Sequence, residues 1–424
     1  MPMSFADLDA DLEATATTRL DDFVDLLRIP SISALSEHAG DCQRAAEWIV
    51  GRLQAAGMEH AEAADTGGRP VVVADWLHAE GAPTVIVYAH YDVQPVDPLE
   101  LWLRPPFEPT IENGRLFARG AADDKSHVAL LTNVLGTWLR VRGGLPINVK
   151  VVFEGEEESG SENLDAWLAA NTDRLAADLV VISDNGFFDG NLPAITTGLR
   201  GMMYAQVDVV GPDQDLHSGG YGGTLRNPAT VLAGILAGLH DDSGRVTLPG
   251  FYDAVVPLDE RERAEFARLP FDEAAYMAEM GVTGLFGEDG YSTLERRGGR
   301  PTLDVNGLWG GFQGEGAKTI IPAHAHAKVS CRLVPDQDPA AVFAALQARV
   351  AQLAPADVDV TVKLINWGRP SRTPPDHPAT IAAAASLEEV FGKAPLYVRE
   401  GGSIPVAASF ATTLDVPVTL LGFM

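Results

Sequence analysis

Cysteine and positive charge are both scarce in this chain, and each shortage excludes something. The two cysteines, Cys42 and Cys331, are too few and too distant for a disulfide framework, which points to a cytoplasmic setting. Thirty-one basic residues stand against 59 acidic ones, a net charge of -28. That balance excludes nucleic acid and anionic membranes as expected partners, because both are themselves negative. No apolar run is long enough to span a bilayer. Residues 1–27 interleave Asp and Glu with Leu and lack the basic start and apolar core of a signal peptide. Internal repeats and low-complexity segments are also missing.

What is present is material for at least two cores: 424 residues, 46% of them hydrophobic. Leu8, Leu12, Leu20, Val24 and Leu27 predict one helix over residues 6–27. A second follows, with Asp41 as its N-cap and Gly57 as its stop. Valine-rich runs at 70–77, 84–88, 147–153, 179–182 and 416–421 read as buried strands, and helices at 124–141, 164–170 and 379–391 alternate with them. This predicts an α/β fold: a three-layer domain with a mainly parallel sheet, made of residues 1–199 and 374–424. Residues 200–373 form an inserted, smaller α+β domain. In it Ala325, Ala327, Val329, Cys331 and Leu333 face one way and His326, Lys328, Ser330 and Arg332 the other. Residues 250–300 read as an irregular, glycine-punctuated loop region.

The chemistry gathers where apolar runs end, since functional groups collect at the carboxyl ends of parallel strands. His90 and Asp92 follow one run, Glu157 and Glu158 a second, Asp184 a third, and Asp123 and Asp124 precede a helix. The run Glu156-Glu157-Glu158 alone could be a solvated loop. Convergence of all these groups favours a divalent cation instead, and a cysteine-free His, Asp and Glu set suits zinc, manganese or cobalt. One of two adjacent glutamates can then hold metal while its neighbour carries a proton. The residues lead to a metal-assisted hydrolase and stop short of its substrate.

His90-Tyr91-Asp92-Val93, Arg-Gly-Ala-Ala-Asp-Asp-Lys ending at Lys125, Gly155 followed by the three glutamates, and Ser183-Asp184 together carry a resemblance. Leu216-His217-Ser218-Gly219 and the Cys331 to Pro335 stretch extend it. The chain resembles the di-zinc peptidase family of carnosinase, carboxypeptidase G, aminoacylase and succinyl-diaminopimelate desuccinylase, and most of all its carnosinase-like dipeptidase branch. The resemblance implies two Zn2+ per subunit, with Mn2+ or Co2+ as substitutes. His90 and Asp184 would hold one ion, Glu158 the other, and Asp123 would bridge them. Glu157 would be the general base, Asp92 would accept the other ring N–H of His90, and the peptide between Asp123 and Asp124 would be cis. His217 would stabilise an oxyanion across a homodimer formed through the inserted lid domain. Arg332 would clamp a substrate carboxylate and Ser403 would contact substrate. The implied reaction is hydrolysis of a dipeptide or small peptide with a free carboxylate, with N-acyl-amino-acid deacylation as the alternative.

One departure stands out. Relatives place a further ligand histidine soon after the final strand, and this sequence has no histidine after His377. The expectation is a truncated or frameshifted end, weaker metal binding at Glu158 and an impaired or inactive chain, with His377 a poor substitute.

Overall fold

The helix predicted over residues 6–27 is two helices in the computed structural model, which describes residues 5–188, 192–402 and 404–423. They are α1 (Ala6–Ala14) and α2 (Ala16–Leu27). Between them Thr15 donates its hydroxyl to the carbonyl of Asp11, four residues back. The Thr15 N–H donates to the same carbonyl at 3.0 Å, and the helices part where Thr15 leaves helical geometry at φ -101°, ψ 4°. The next helix, α3 (Ala39–Ala56), starts two residues before Asp41. Asp41 is therefore in the first turn rather than at the N-cap, where its carboxylate bonds His38 Nδ1 at 2.6 Å. Gly57 ends α3 in the left-handed region at φ 94°, as only glycine does without strain.

Two compact units follow from the chain's packing. The first runs to Thr197 and adds Thr373–Leu396 and the segment from Val406 onward; the second comprises Gly198–Arg372 and Tyr397–Pro405. In the first, the strands are β1 (Glu59–Ala64), β2 (Val71–Trp76), β3 (Thr84–His90), β4 (Asn148–Glu154), β5 (Leu179–Ile182) and β6 (Ala194–Leu199), with α4 (Lys125–Arg142) and α5 (Leu164–Ala170) between them. The sheet order is β1, β2, β4, β3, β5, the strand Val418–Leu420, and β6. Its middle is parallel: β3 runs with β4 and β5, and Val418–Leu420 runs with β5. Antiparallel strands flank this middle, so the sheet is mixed. On one face Val87, Ala89, Val149, Val151 and Phe153 pack beneath α3 and α4. On the other, Tyr88 meets Phe410 of the helix Pro405–Leu414 edge-on at 5.6 Å. The strands are thus apolar on both faces, as a three-layer architecture requires.

The second unit is built on an antiparallel sheet in the order Thr302–Gly310, His324–Leu333, Gly201–Val210, Asp359–Gly368. The alternation read in the sequence holds: Ala325, Ala327, Val329, Cys331 and Leu333 are all buried, in one cluster with Leu232, Ile235, Leu346 and Val350 of the helices Pro228–Ala237 and Pro339–Leu353. The stretch expected to be irregular contains three helices, Glu260–Arg268, Glu273–Met280 and Thr293–Gly299. Capping boxes start two of them, Asp259 with Glu262 and Ser292 with Glu295, each satisfying two otherwise unpaired N–H groups.

On the sheet face opposite those helices, Asp208 accepts hydrogen bonds from Lys363 Nζ at 2.8 Å and Gln206 Nε2 at 2.6 Å, and bonds His326 Nδ1 at 2.7 Å. Burial opposes its ionisation, but these partners outweigh it and hold the carboxyl at about 2. A carboxylate depressed below its unfolded value of 3.8 stabilises the fold fully above that pH, and the contribution fades as pH falls towards 2. Asp208→Asn is expected to lower urea-unfolding stability by about 1–2 kcal/mol at pH 7. The gap from the unsubstituted protein should narrow when the same measurement is made below pH 3.8.

Candidate metal centre

The parallel middle of the sheet brings its acids to one level. His90 is the last residue of β3 and pairs with Glu154, the last residue of β4, while Tyr88 pairs with Ile182, the last of β5. The turns after these strands therefore open into one space, which the N-terminus of α4 also reaches. There the peptide between Asp123 and Asp124 is cis.

His90 is the hub. Its buried ring presents Nε2 to Asp123 Oδ1 at 3.0 Å and to Asp184 Oδ1 at 3.7 Å. Two sets of potential ligand atoms share it, His90 with Glu157 and Asp184, and His90 with Asp123 and Glu158, each set lying within 4.8 Å. Five of the seven residues singled out from strand ends and the α4 turn, His90, Asp123, Glu157, Glu158 and Asp184, are thus brought together. Nδ1 lies 3.1 Å from the carbonyl oxygen of Asp92 and 3.3 Å from its Oδ1. The Asp92 carboxylate does more than face this ring: it accepts the backbone N–H groups of Glu157 at 3.2 Å and Glu158 at 3.0 Å. It thereby fixes the turn that carries both glutamates.

The electrostatics show what the cluster lacks. Burial pushes the Glu157 carboxyl up to about 9, with the negative charges of Asp184, Asp92 and Glu154 adding to the effect and His90 opposing it. Glu158 is raised as well, by burial and then by Asp123, against a hydrogen bond from Gln94. Burial works against protonation of His90, but Asp123, Asp184 and Asp92 override it and raise the imidazole well above its ordinary value. Protons are held where positive charge is missing. A divalent cation would supply that charge, and nitrogen and oxygen donors without thiolate suit a borderline or hard ion. The residues present fit such an ion.

Several groups here escaped the sequence reading. Gln94 donates Nε2 to Glu158 Oε2 at 2.6 Å, and its place two residues after Asp92 was the available signal. Tyr88 donates its hydroxyl to the buried Glu154 carboxylate at 2.7 Å. Buried Asp124 accepts the His90 backbone N–H at 2.9 Å and also bonds His127 Nδ1, one helical turn along. The backbone N–H of Phe423 donates to the remaining nitrogen, His127 Nε2, at 2.8 Å.

The other predicted residues lie elsewhere. His217 is exposed in the second unit, in the short strand Leu216–His217, where Nδ1 accepts from Gly219 N at 3.0 Å and Nε2 lies 3.3 Å from Thr319 Oγ1. Arg332 is on the strand His324–Leu333 of the same unit, opposite Met202 and Thr302. His377 caps the helix Pro378–Phe391, its Nδ1 accepting from Ala379 N at 3.3 Å. Ser403 lies outside the described residues.

A mixed sheet with a His and carboxylate cluster beyond its parallel strands fits a metal-dependent hydrolase, and comparison with known proteins shows the class. Residues 86–424 match peptidase family M20/M25/M40, and the chain belongs to that family. It is 33% identical over 415 residues to a Cys-Gly metallodipeptidase of Candida albicans, covering 93% of this chain and 85% of the other. It is 34% identical over 361 residues to a human Beta-Ala-His dipeptidase, covering 83% and 70%. Among solved structures, a metallo-carboxypeptidase of this family from Sulfolobus solfataricus superposes with a TM-score of 0.84 at 32% identity, covering 96% of this chain and 92% of the other.

Gly155 links β4 to the glutamate turn with no room for a side chain. A Cβ there would lie 2.3 Å from the Tyr91 hydroxyl and 2.9 Å from the Pro70 carbonyl, which are bonded to one another at 2.5 Å. Gly155→Ala is expected to destabilise the protein by about 1–3 kcal/mol through overpacking, read as a lower urea midpoint with unchanged slope.

Proposed function

We propose that the protein hydrolyses the amide bond of dipeptides or small peptides bearing a free carboxylate, using two Zn2+ ions for which Mn2+ or Co2+ can substitute. The observation that carries this reading is the His90 ring facing two carboxylate sets at once, beside a glutamate whose proton affinity is raised. In this reading His90 and Asp184 would hold one ion and Glu158 the other, with Asp123 within reach of both. When bound, the ions supply Lewis acidity, polarising the scissile carbonyl and acidifying the attacking water. Glu157 takes the proton from that water and returns it to the leaving amine. Asp92 holds the His90 ring and the glutamate turn in register, through the bonds described above.

Substrate recognition falls to the second unit in this reading. Burial, and then the like charge of Arg332, draw the Arg200 guanidinium down to about 10. Two neighbouring guanidinium groups favour an anion, and a planar fork matches a carboxylate. His217 would supply a donor to the oxyanion of a partner subunit in a homodimer. Exposed Leu308, Trp309, Leu364, Ile365 and Trp367 on the two outer strands of this unit's sheet support such an interface. Cytoplasmic residence completes the reading, in keeping with two buried free thiols.

The test is a screen of the metal-stripped chain against dipeptides and N-acetyl amino acids, with and without added Zn2+, Mn2+ or Co2+. Metal-dependent cleavage of dipeptides is expected. Preference for N-acetyl amino acids would move the assignment to a deacylase, and inactivity with every metal would overturn it. Glu157→Gln is expected to lower kcat about 10²–10⁴-fold, with KM changed less than about threefold. Arg332→Met should instead raise KM by about 10–100-fold for substrates with a free carboxylate, as loss of a charged hydrogen bond costs about 1.5–3 kcal/mol. Steady-state kinetics on the metal-loaded variants separates the two.

A further inference from the structure

Residues 29–35, between α2 and α3, belong to none of the ligand-bearing turns, yet they touch the elements behind those of Asp92, Asp123 and the glutamates. From the α4 turn, Lys125 runs inward with no exposed surface and donates Nζ to the carbonyls of Leu26 at 3.1 Å and Ile29 at 2.6 Å. From the end of β3, the Tyr91 carbonyl accepts the Ser31 hydroxyl at 2.7 Å, and Val93 N–H donates to the Ser31 carbonyl at 3.0 Å. Those two bonds bracket Asp92. From the third side, Arg69 donates Nε and Nη2 to the Ser33 carbonyl at 3.3 and 3.0 Å, and Nη2 to the Leu35 carbonyl at 3.1 Å. The backbone N–H of Arg69 in turn donates to Glu156 Oε1 at 2.8 Å, the residue before Glu157.

A surface linker would need none of this. Ser31 and Ile32 are at most 2% exposed, and Lys125 buries its amino group against carbonyl oxygens rather than a carboxylate. Leu26 lies in the last turn of α2 and Ile29 two residues beyond it, where the carbonyl ends of the helix concentrate partial negative charge. Gly120 closes in on the Lys125 stem, since a Cβ there would lie 3.2 Å from Lys125 Cδ and 2.9 Å from Val93 Cγ1. The same few residues thus hold the approach to Asp123, to Asp92 and to the glutamate turn.

We infer that residues 29–35 are a positioning strap for the metal centre, with Lys125, Ser31 and Arg69 as its ties, setting the mutual spacing of the turns that carry Asp92, Asp123 and the Glu157-Glu158 pair. The inference rests on the proposed metal-binding reading and adds residues that touch neither ion nor substrate. Groups that orient metal ligands typically change affinity about 10–100-fold when removed. A strap that only stabilises the fold would change the melting temperature and leave metal affinity alone.

The experiment uses the full chain stripped of metal, with Zn2+ affinity measured by competition with a chromophoric chelator and apo melting temperature recorded beside it. Lys125→Met is expected to weaken Zn2+ binding about 100-fold and Ser31→Ala about 10-fold. Arg69→Met should weaken it too, with Arg69→Lys recovering part of the loss. In loaded enzyme kcat should fall with KM within about twofold. If Lys125→Met fails to fold, Ser31→Ala and the Arg69 pair decide. Unchanged Zn2+ affinity in folded variants, whatever their melting temperature, overturns the strap alone. Absence of Zn2+ binding in the unsubstituted chain overturns the metal reading and the strap with it.

Discussion

Acidic side chains crowded around one buried imidazole are the constraint on which the first unit depends. The Coulomb energy of such a cluster rises steeply as water is withdrawn, so it persists only where geometry is enforced from outside. The enforcement begins with sheet register. Because β3, β4, β5 and Val418–Leu420 run parallel and in step, their carboxyl ends stop at a common level. Apolar residues alternating beneath two helix layers fix that register, since a slip by one residue would turn each buried face outward. Hydrophobic packing therefore sets where the charges stand, and the charges cannot relax by moving apart.

The acids near His90 divide into two kinds. Glu157, Glu158, Asp123 and Asp184 direct oxygens at a shared space. Asp92, Asp124 and Glu156 direct theirs at the protein. Asp92 meets two amides, Asp124 the His90 amide, and Glu156 the Arg69 amide and the Asn163 side chain. The second kind supports the first, because each carboxylate satisfied by backbone N–H groups fixes a turn on which a ligand-directed acid sits. Neighbours in sequence thus serve different ends, Asp123 and Glu157 facing the shared space while Asp124 and Glu156 brace the backbone.

Much of this was legible. Apolar runs followed at once by His, Asp or Glu identified the strand ends, and the α/β architecture followed from their alternation with helices. What stayed hidden was decided locally or at long range. Thr15 marks a break between two helices, a local change of backbone geometry that amphipathic spacing does not register. Asp259 with Glu262 and Ser292 with Glu295 are helix-start signals written plainly in residues 250–300, masked by the glycines around them, which suggest irregular chain. The partners of His127 and the ties of residues 29–35 became visible only when segments distant in sequence met.

Asp208 and Glu157 are perturbed in opposite directions, and the difference lies in what each carboxyl meets. Asp208, in the second unit, is as buried as many site residues, yet Lys363, His326 and Gln206 hold it down to about 2. Its negative charge is fully answered by the protein. Glu157 at about 9 and the raised Glu158 are not answered, and exposed Asp123 is held low chiefly by His90, with Arg119 and His127 adding to the effect. With a net charge of -28, acid content alone could not have located a site. A buried carboxyl without a cationic partner holds its proton until a cation from outside the chain displaces it. Here the unanswered acids coincide with the strand ends that topology had already selected, so two independent lines, one geometric and one electrostatic, meet at the same residues.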